Sequence, residues 1–409
     1  MSLNHWLLKE IKSKMQGVIL IGGKGTRLGS ITKNYPKPML EISGKPFVMH
    51  LINNIRRFGI DRILLLASHA NHVVLDYFKD MEINGCQIEI IIEKEPLGTG
   101  GALVNALNHL DDRFYCFNGD SIIDGNWLNL ENLVSEDSNI IIGLTEVKDS
   151  ARYGTTVLNN NKIIGFQEKK SSDEKNTKNI INGGIYNIKK VVLENYKLQN
   201  LSFEENILKD QIDLGKVRGK VINGYFIDIG VKETLSEAKK RNWNIGKKAF
   251  LFDRDGTLNE DSGYTHKTND LIWKPDAIDL IKKLNDLNCF VFVVTNQAGI
   301  AKGKFSEFEM HEFHNFMQKE LRKSGAHIDK FYFCPFHKDG IIDKYKLDSN
   351  DRKPNVGMLD KILEEWDLKK NNLIMIGDRD TDIECANKFG IKSYLYNGKD
   401  NLLDCIDIL

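Results

Sequence analysis

From residue 17 onward, short apolar runs alternate with stretches in which apolar positions recur every three or four residues. The runs 17–21, 62–66, 88–92, 114–117 and 140–144 have strand length, and the periodic stretches 47–58, 72–80 and 100–110 have the spacing of one helix face. Strands alternating with amphipathic helices predict a mostly parallel sheet flanked by helices. The stretch 231–242 reads as a closing helix, with Leu235 and Ala238 on one face and Lys239, Lys240 and Arg241 near its end, where cations suit the helix dipole. After residue 245 a second set of apolar runs begins, at Phe250-Leu251-Phe252, Val291-Phe292-Val293-Val294 and Leu373-Ile374-Met375-Ile376. The pattern therefore predicts an extension over 1–14 and two α/β domains, 15–243 and 244–409.

Composition narrows the functional classes. Across 409 residues, 57 basic and 57 acidic side chains cancel, so there is no overall electrostatic footprint for nucleic acid or an anionic membrane. The longest apolar runs have strand length, which argues against a membrane-spanning helix. Trp6-Leu7-Leu8 is too short for the apolar region of a secretion signal, and lysines interrupt it. Cys86, Cys116, Cys289, Cys334, Cys385 and Cys405 are scattered without a close pair, which suggests reduced thiols in a cytoplasm.

The candidate chemistry sits where the apolar runs end. The first run leads into Gly22-Gly23-Lys24-Gly25-Thr26-Arg27, where glycines let backbone amides approach a ligand and two cations stand beside them. This suits a triphosphate, with Arg27 placed to offset charge on a departing pyrophosphate. The spacing is neither that of a dinucleotide fold nor that of a P-loop. Pro36-Lys37-Pro38 holds a lysine in a stiff extended segment. Glu95-Pro96-Leu97-Gly98-Thr99-Gly100-Gly101 is a second glycine-rich turn opening a helix, and Phe117-Asn118-Gly119-Asp120 ends a strand in a carboxylate.

With Gly165-Phe166-Gln167-Glu168-Lys169, Ile181-Asn182-Gly183-Gly184-Ile185-Tyr186 and Phe226-Ile227-Asp228, these motifs resemble the sugar-1-phosphate nucleotidyltransferases. The resemblance implies a Rossmann-like domain with a mixed sheet. It implies nucleotide contacts from Gly22, Gly23, Gly25, Thr26, Arg27, Glu95, Gly98 and Gly119, with Arg27 and Lys37 acting on the phosphates being rearranged. Asp120 and Asp228 would hold Mg²⁺, Lys169 the sugar phosphate, and Glu168, Asn182 and Gly183 the sugar. Within the family the motifs, including Leu201-Ser202-Phe203-Glu204-Glu205, look most like the D-glycero-D-manno-heptose 1-phosphate guanylyltransferases.

In the second half, Asp253 and Asp255 follow Phe252 and fall on the same side of an extended segment. Thr295-Asn296 and Gly377-Asp378 end two further runs, and Arg352-Lys353-Pro354 lies between them. These motifs resemble the haloacid-dehalogenase-like phosphatases and imply a Rossmannoid domain. Asp253 would be the nucleophile, Asp255 the acid and base, and Thr295, Asn296, Arg352 and Lys353 phosphate and substrate contacts. Asp253, Asp378 and the Asp255 backbone carbonyl would hold Mg²⁺, and Asp382 would orient the lysine or the metal shell. The flanking Gly263-Tyr264-Thr265-His266-Lys267 and the stretch 296–305 look like heptose 1,7-bisphosphate 7-phosphatases, with Lys302 and Lys304 as further candidates for a second phosphate. Where that group carries structural zinc, this chain reads Cys334-Pro335-Phe336 and Ser349-Asn350-Asp351, so no structural zinc is expected.

Together the resemblances imply a cytoplasmic bifunctional enzyme acting on small sugar phosphates and a nucleoside triphosphate, with room for a homo-oligomer. The phosphatase would remove the 7-phosphate of heptose 1,7-bisphosphate, and the transferase would join heptose 1-phosphate to GTP. The alternatives are another sugar, such as mannose 1-phosphate, another base (UTP, dTTP or ATP), a histidinol-phosphate-type phosphatase, or one half without catalysis.

Overall fold

The structure is a computed structural model that describes residues 15–23, 25–79, 81, 83, 86–147, 154–167, 179–241, 243, 246–398 and 401–404. The chain divides into two compact units, Lys14–Asn242 and Trp243–Leu409.

The first unit is built on strands β1 (Met15–Leu20), β2 (Ile60–Ala67), β3 (Gln87–Ile92), β4 (Arg113–Asn118), β5 (Ser121–Gly125), β6 (Ile140–Val147), β7 (Thr155–Asn159), β8 (Lys162–Gln167), β9 (Asn179–Lys189), β10 (Val217–Val221) and β11 (Gly224–Asp228). Nine of them form one sheet in the order β3-β2-β1-β4-β9-β6-β10-β8-β7. The β3-β2-β1-β4 part is parallel, as the strand–helix alternation predicts. In the remainder β9 runs antiparallel between β4 and β6, and β7 and β8 form an antiparallel pair, so the sheet is mixed, as the family resemblance implies. The β5 and β11 strands pair separately, with Asp228 opposite Ser121.

Helices α1 (Phe47–Arg56), α2 (Asn71–Phe78) and α3 (Gly98–Asn105) fall on the predicted stretches. The third ends earlier than the periodicity suggests, and a separate 3-10 turn follows at Leu107–His109. Asn105 and Asn108 are weak helix formers at this point. The core beneath α3 gathers Leu103, Phe114, Cys116, Ile142, Tyr186, Phe203 and Ile207, all buried.

The second unit holds β12 (Ala249–Phe252), β13 (Phe290–Asn296), β14 (Lys330–Cys334), β15 (Leu373–Gly377) and β16 (Lys392–Leu395) in the order β14-β13-β12-β15-β16. Every pairing is parallel. Side chains alternate between two cores: Phe250, Phe252, Val291 and Val293 enter one, and Ala249, Leu251, Phe290 and Phe292 the other. Burial on both faces explains why these strands read as continuous apolar runs instead of alternating ones. The order reverses direction at β12, so the end of β12 is the topological switch point where such sheets bind ligands.

Candidate active sites

In the first unit the loops after β1, β2, β3 and β4 enclose a cavity of about 610 Å³. Gly22, Gly23 and Gly25 line one part, and Ser68, His69, Asn71, Glu93 and Glu95 another. Lys37, Gly98, Thr99, Gly119, Asp120 and Glu204 also line it. Gly98 has φ +71, and a Cβ there would stand 2.4 Å from the Leu201 carbonyl oxygen, so this close contact between α3 and the 201–203 segment requires glycine.

The Lys37 ammonium pairs with the Asp120 carboxylate, whose side chain is 33% exposed. Asp120 is one residue from the cross-strand pair Ser121↔Asp228, and its carbonyl accepts the Ile229 amide at 2.9 Å. The sheet therefore brings the backbones of the two predicted metal-holding residues together. Glu93 is buried on the cavity wall, and its Oε2 accepts the Leu97 amide at 2.9 Å. Burial pushes its carboxyl up, while the Leu97 amide and the Ser68 hydroxyl pull it back.

In the second unit the end of β12 is crowded with charge. Lys353 Nζ lies 2.8 Å from Asp253 Oδ1 and 2.6 Å from Asp382 Oδ1, and donates to the Val294 carbonyl at 2.6 Å. These side chains are 2%, 9% and 1% exposed respectively. Burial pushes the Asp253 carboxyl up, with the Lys353 ammonium opposing. Burial works against the Lys353 charge as well, but Asp253 and Asp382 together outweigh it, so the lysine keeps its proton. Carboxylate oxygens of Asp253, Asp378 and Asp382 all lie within 4.8 Å of one another. Burial also pushes Asp378 up, and Thr257 Oγ1 donates to it at 3.2 Å. Gly256 has φ +91, and a Cβ there would sit 2.2 Å from Asp378 Oδ2, so only glycine lets the two loops meet.

Asp255 faces a different set of groups. The fully buried Arg254 reaches both its oxygens, Nε to Oδ1 at 3.0 Å and Nη2 to Oδ2 at 2.7 Å. Asn259 donates to Oδ1 and Gln297 to Oδ2, each at 3.0 Å. Arg254 Nη1 lies 3.0 Å from His314 Nε2, and the ring is held neutral first by burial and then by the adjacent guanidinium.

The nucleotidyl transferase family profile matches residues 16–243, more than half of the chain. The chain belongs to the nucleotidyl transferase family. A HAD-hydrolase-like profile matches residues 350–402. The D-glycero-alpha-D-manno-heptose 1-phosphate guanylyltransferase of Campylobacter jejuni is 40% identical over 221 residues, 54% of this chain and 96% of that protein. The D-glycero-beta-D-manno-heptose-1,7-bisphosphate 7-phosphatase of Rhodopseudomonas palustris is 38% identical over 152 residues, 37% of this chain and 84% of its own length. The crystal structure of HddC from Yersinia pseudotuberculosis complexed with GMP-PN superposes with a TM-score of 0.50 at 34% identity, covering 55% of this chain and 98% of that one. This member of the nucleotidyl transferase family thus carries a transferase and a phosphatase in one chain.

Among the sequence-predicted residues of the transferase unit, Gly22, Gly23, Gly25, Lys37, Glu95, Gly98, Gly119 and Asp120 line the cavity. Arg27 is exposed and does not line it, and neither do Asn182, Gly183 and Asp228. Glu168, Lys169, Lys24 and the Thr26 side chain lie outside the described residues, as does the predicted extension 1–14. In the phosphatase unit, the Asn296 side chain is engaged on the Lys353 backbone, accepting its amide and donating to its carbonyl at 3.0 Å each. It therefore holds the Lys353 backbone in place. Thr295 is buried and accepts from Gln297 at 2.9 Å. Arg352 is half-buried and lies near Arg379, and its Nη1 has no hydrogen-bond partner among the described residues. At the loop where zinc ligands were sought, Ser349 hydrogen-bonds Cys334, and Asp351 pairs with Lys361 at 2.6 Å.

Sequence reasoning missed Arg254, Gln297, Asn259 and His314 around Asp255, and Glu93 and Glu204 in the cavity. Gln297 and Arg254 each adjoin a predicted residue, so adjacency was an available signal. Glu93 stands two residues before the quoted glycine-rich motif, and nothing in its spacing marks it as buried.

Proposed function

We propose that this chain makes a nucleotide-activated heptose in two steps. The C-terminal unit releases the 7-phosphate of D-glycero-D-manno-heptose 1,7-bisphosphate, and the N-terminal unit joins the resulting 1-phosphate to GTP with loss of pyrophosphate. The observation that carries this reading is the presence in one chain of two sites whose relatives are named for a heptose 1,7-bisphosphate and a heptose 1-phosphate. The two relatives carry opposite anomeric labels, alpha and beta, and consecutive action requires one anomer. Coverage of nearly the whole transferase relative favours the α series.

Glu93 supports guanine. A carboxylate only accepts hydrogen bonds. Guanine presents two adjacent donors, N1–H and the 2-amino group, whereas uracil, cytosine and adenine present single donors beside acceptors. A carboxylate on the cavity wall that already accepts from the Leu97 amide and the Ser68 hydroxyl offers its remaining acceptor capacity to such an edge. Adenine would leave an acceptor facing an acceptor.

In the phosphatase step, an Asp253 oxygen attacks phosphorus and the bond to the sugar oxygen breaks. Asp255 gives that oxygen a proton, then takes one from the water that hydrolyses the aspartyl-phosphate. To do so its carboxyl leaves at least part of the Arg254, Asn259 and Gln297 set. Lys353, with Asn296 holding its backbone, faces the oxygens of the bound phosphate. In the transfer step, an oxygen of the sugar phosphate attacks the α-phosphate while Lys37 and Arg27 offset charge on the pyrophosphate. Hard-cation chemistry fits both oxygen-donor sets, Asp120 with Asp228 and Asp253 with Asp378, and Asp382 beside Lys353 would orient the lysine or the metal shell. Magnesium bound there would supply positive charge to phosphate oxygens.

Mass spectrometry of products from the α-1,7-bisphosphate plus GTP tests the proposal. GDP-heptose, phosphate and pyrophosphate are expected, and failure to release phosphate from the α-anomer would overturn it.

A further inference from the structure

Thr99, Ser202 and Tyr186 converge on one half-buried carboxylate, Glu204, that the known chemistry leaves unassigned. Its position follows from how residues 201–203 attach to the start of α3. The Leu201 amide donates to the Leu97 carbonyl at 2.8 Å, and the Leu201 carbonyl accepts the Gly100 amide at 2.9 Å. The Phe203 amide donates to Thr99 Oγ1 at 2.8 Å, and the buried Phe203 ring packs edge-on against Tyr186 at 5.0 Å. Ser202 caps the turn that follows by accepting the Glu205 amide at 3.1 Å. With both flanks fixed, Glu204 faces the cavity that it lines.

Its two oxygens are unequally engaged. Oε2 accepts from Thr99 Oγ1 at 3.0 Å and from Ser202 Oγ at 3.4 Å. Among the described residues Oε1 has only a long contact, 3.5 Å, from the Tyr186 hydroxyl. That hydroxyl in turn accepts from Asn182 Nδ2 at 2.9 Å, and Asn182 Oδ1 accepts the Gly184 amide at 3.0 Å. Both ends of the Asn182 carboxamide are therefore committed to the protein. Among the described residues no lysine or arginine pairs with Glu204. A carboxylate that faces a cavity without a cation repels phosphate and accepts from hydroxyl groups.

We propose that Glu204 is the specificity residue for the sugar of the transfer reaction: it accepts hydrogen bonds from sugar hydroxyls, and Asn182 positions it through Tyr186. This rests on the reading of the N-terminal unit as a sugar-1-phosphate transferase. Thr99 also ties the carboxylate to the glycine-rich turn at the start of α3, so the sugar contact is anchored to the loop that borders the nucleotide.

The test uses the full chain, with pyrophosphate release assayed at varied sugar 1-phosphate and varied GTP. Glu204→Ala raises KM for the sugar phosphate about 10- to 100-fold, the effect of losing hydrogen bonds to a charged acceptor, and leaves KM for GTP within about twofold. Glu204→Gln, which keeps the shape and one acceptor, shows a smaller rise in the same constant. Monodeoxy analogues of the sugar 1-phosphate supply the readout that a merely structural role would not move. Wild type discriminates against at least one analogue, and Glu204→Ala loses that discrimination. GTP-induced thermal stabilisation of each variant reports that the unit is folded. A rise in KM for GTP instead of the sugar phosphate, or retained discrimination in Glu204→Ala, overturns the inference. The heptose reading fails separately, when wild type does not turn over heptose 1-phosphate, and Glu204 is then tested with the sugar 1-phosphate that wild type accepts.

Discussion

The two sites of this chain solve opposite problems with the same residue types. In the phosphatase unit Asp253, Lys353 and Asp382 form a nearly dry cluster, no side chain more than 9% exposed. In the transferase unit the Lys37–Asp120 pair stands at the edge of an open cavity, at 15% and 33% exposure. In the proposed phosphatase step the nucleophile is a protein carboxylate, which the protein must hold in place and balance in charge before substrate arrives. The reacting groups of the second reaction both belong to substrates, so the protein contributes a shaped space and charges that close around them. A buried pair is costly to break by removing one partner, whereas a half-exposed pair contributes little to stability.

The sharpest way to separate the sites is Asp253→Asn. Phosphate release should fall on the order of 10⁴-fold or more, with pyrophosphate release unchanged. Loss of both activities in that variant would mean the sites are not independent. The next effect contrasts two lysines. Lys353→Met leaves Asp253 and Asp382 buried without a cation and should destabilise the C-terminal unit by about 3–5 kcal/mol in urea unfolding. Lys37→Met should leave stability within about 1 kcal/mol and lower kcat of transfer about 100-fold. Equal stability losses would erase the contrast drawn above.

A smaller effect is expected at Glu93. Glu93→Gln replaces one acceptor by a donor, so kcat/KM for GTP should fall about 10-fold while the ratio of UTP to GTP use rises. An unchanged ratio would remove Glu93 from base selection.

The smallest effect concerns pH. His314 is neutral in the folded chain because burial and Arg254 disfavour its charge, while an unfolded imidazole takes a proton near a pH of about 6.5. The unfolded state therefore binds the extra proton, and stability is lost as pH falls below that value, at up to about 1.4 kcal/mol per pH unit. Denaturant titrations at about pH 7 and pH 5.5 should show a shallower loss in His314→Gln than in wild type. Parallel slopes would place the charge on the folded ring.

Much of the phosphatase site was legible because its residues end strands whose burial on both faces leaves an unbroken apolar run. Asp253, Thr295 and Asp378 each follow such a run, and parallel pairing carries their ends to one edge of the sheet. The transferase cavity was half legible. Its glycine-rich turns showed in the sequence, but Glu204 meets Thr99 across 105 positions through a hydrogen bond that no local pattern encodes. Arg254 shows the same limit: lying between two aspartates, it reads as a surface cation until His314, 60 positions away, is seen beside it. The apolar pattern alone did not reveal the antiparallel β9, and the mixed sheet was expected only from the family resemblance. Asn296 was found as a residue but not in its use, since an amide that grips a lysine backbone and one that grips phosphate look alike in sequence.

The order of the strands also has a consequence for synthesis. Every residue lining the transferase cavity falls between Leu20 and Glu204, so a ribosome has made all of them before β12 emerges. Asp253 appears soon after that, but it must wait 100 residues for Lys353, and longer for β15, which pairs with its own strand. Contacts this far apart in sequence form slowly, and domains tend to fold as units in the order in which they leave the ribosome. The unit that acts second in the proposed chemistry can thus be folded while the unit that acts first still lacks β15, one of the two strands that pair with its central strand. During that interval one edge of β12 stands open to pairing with another chain, until β15 takes its place beside it.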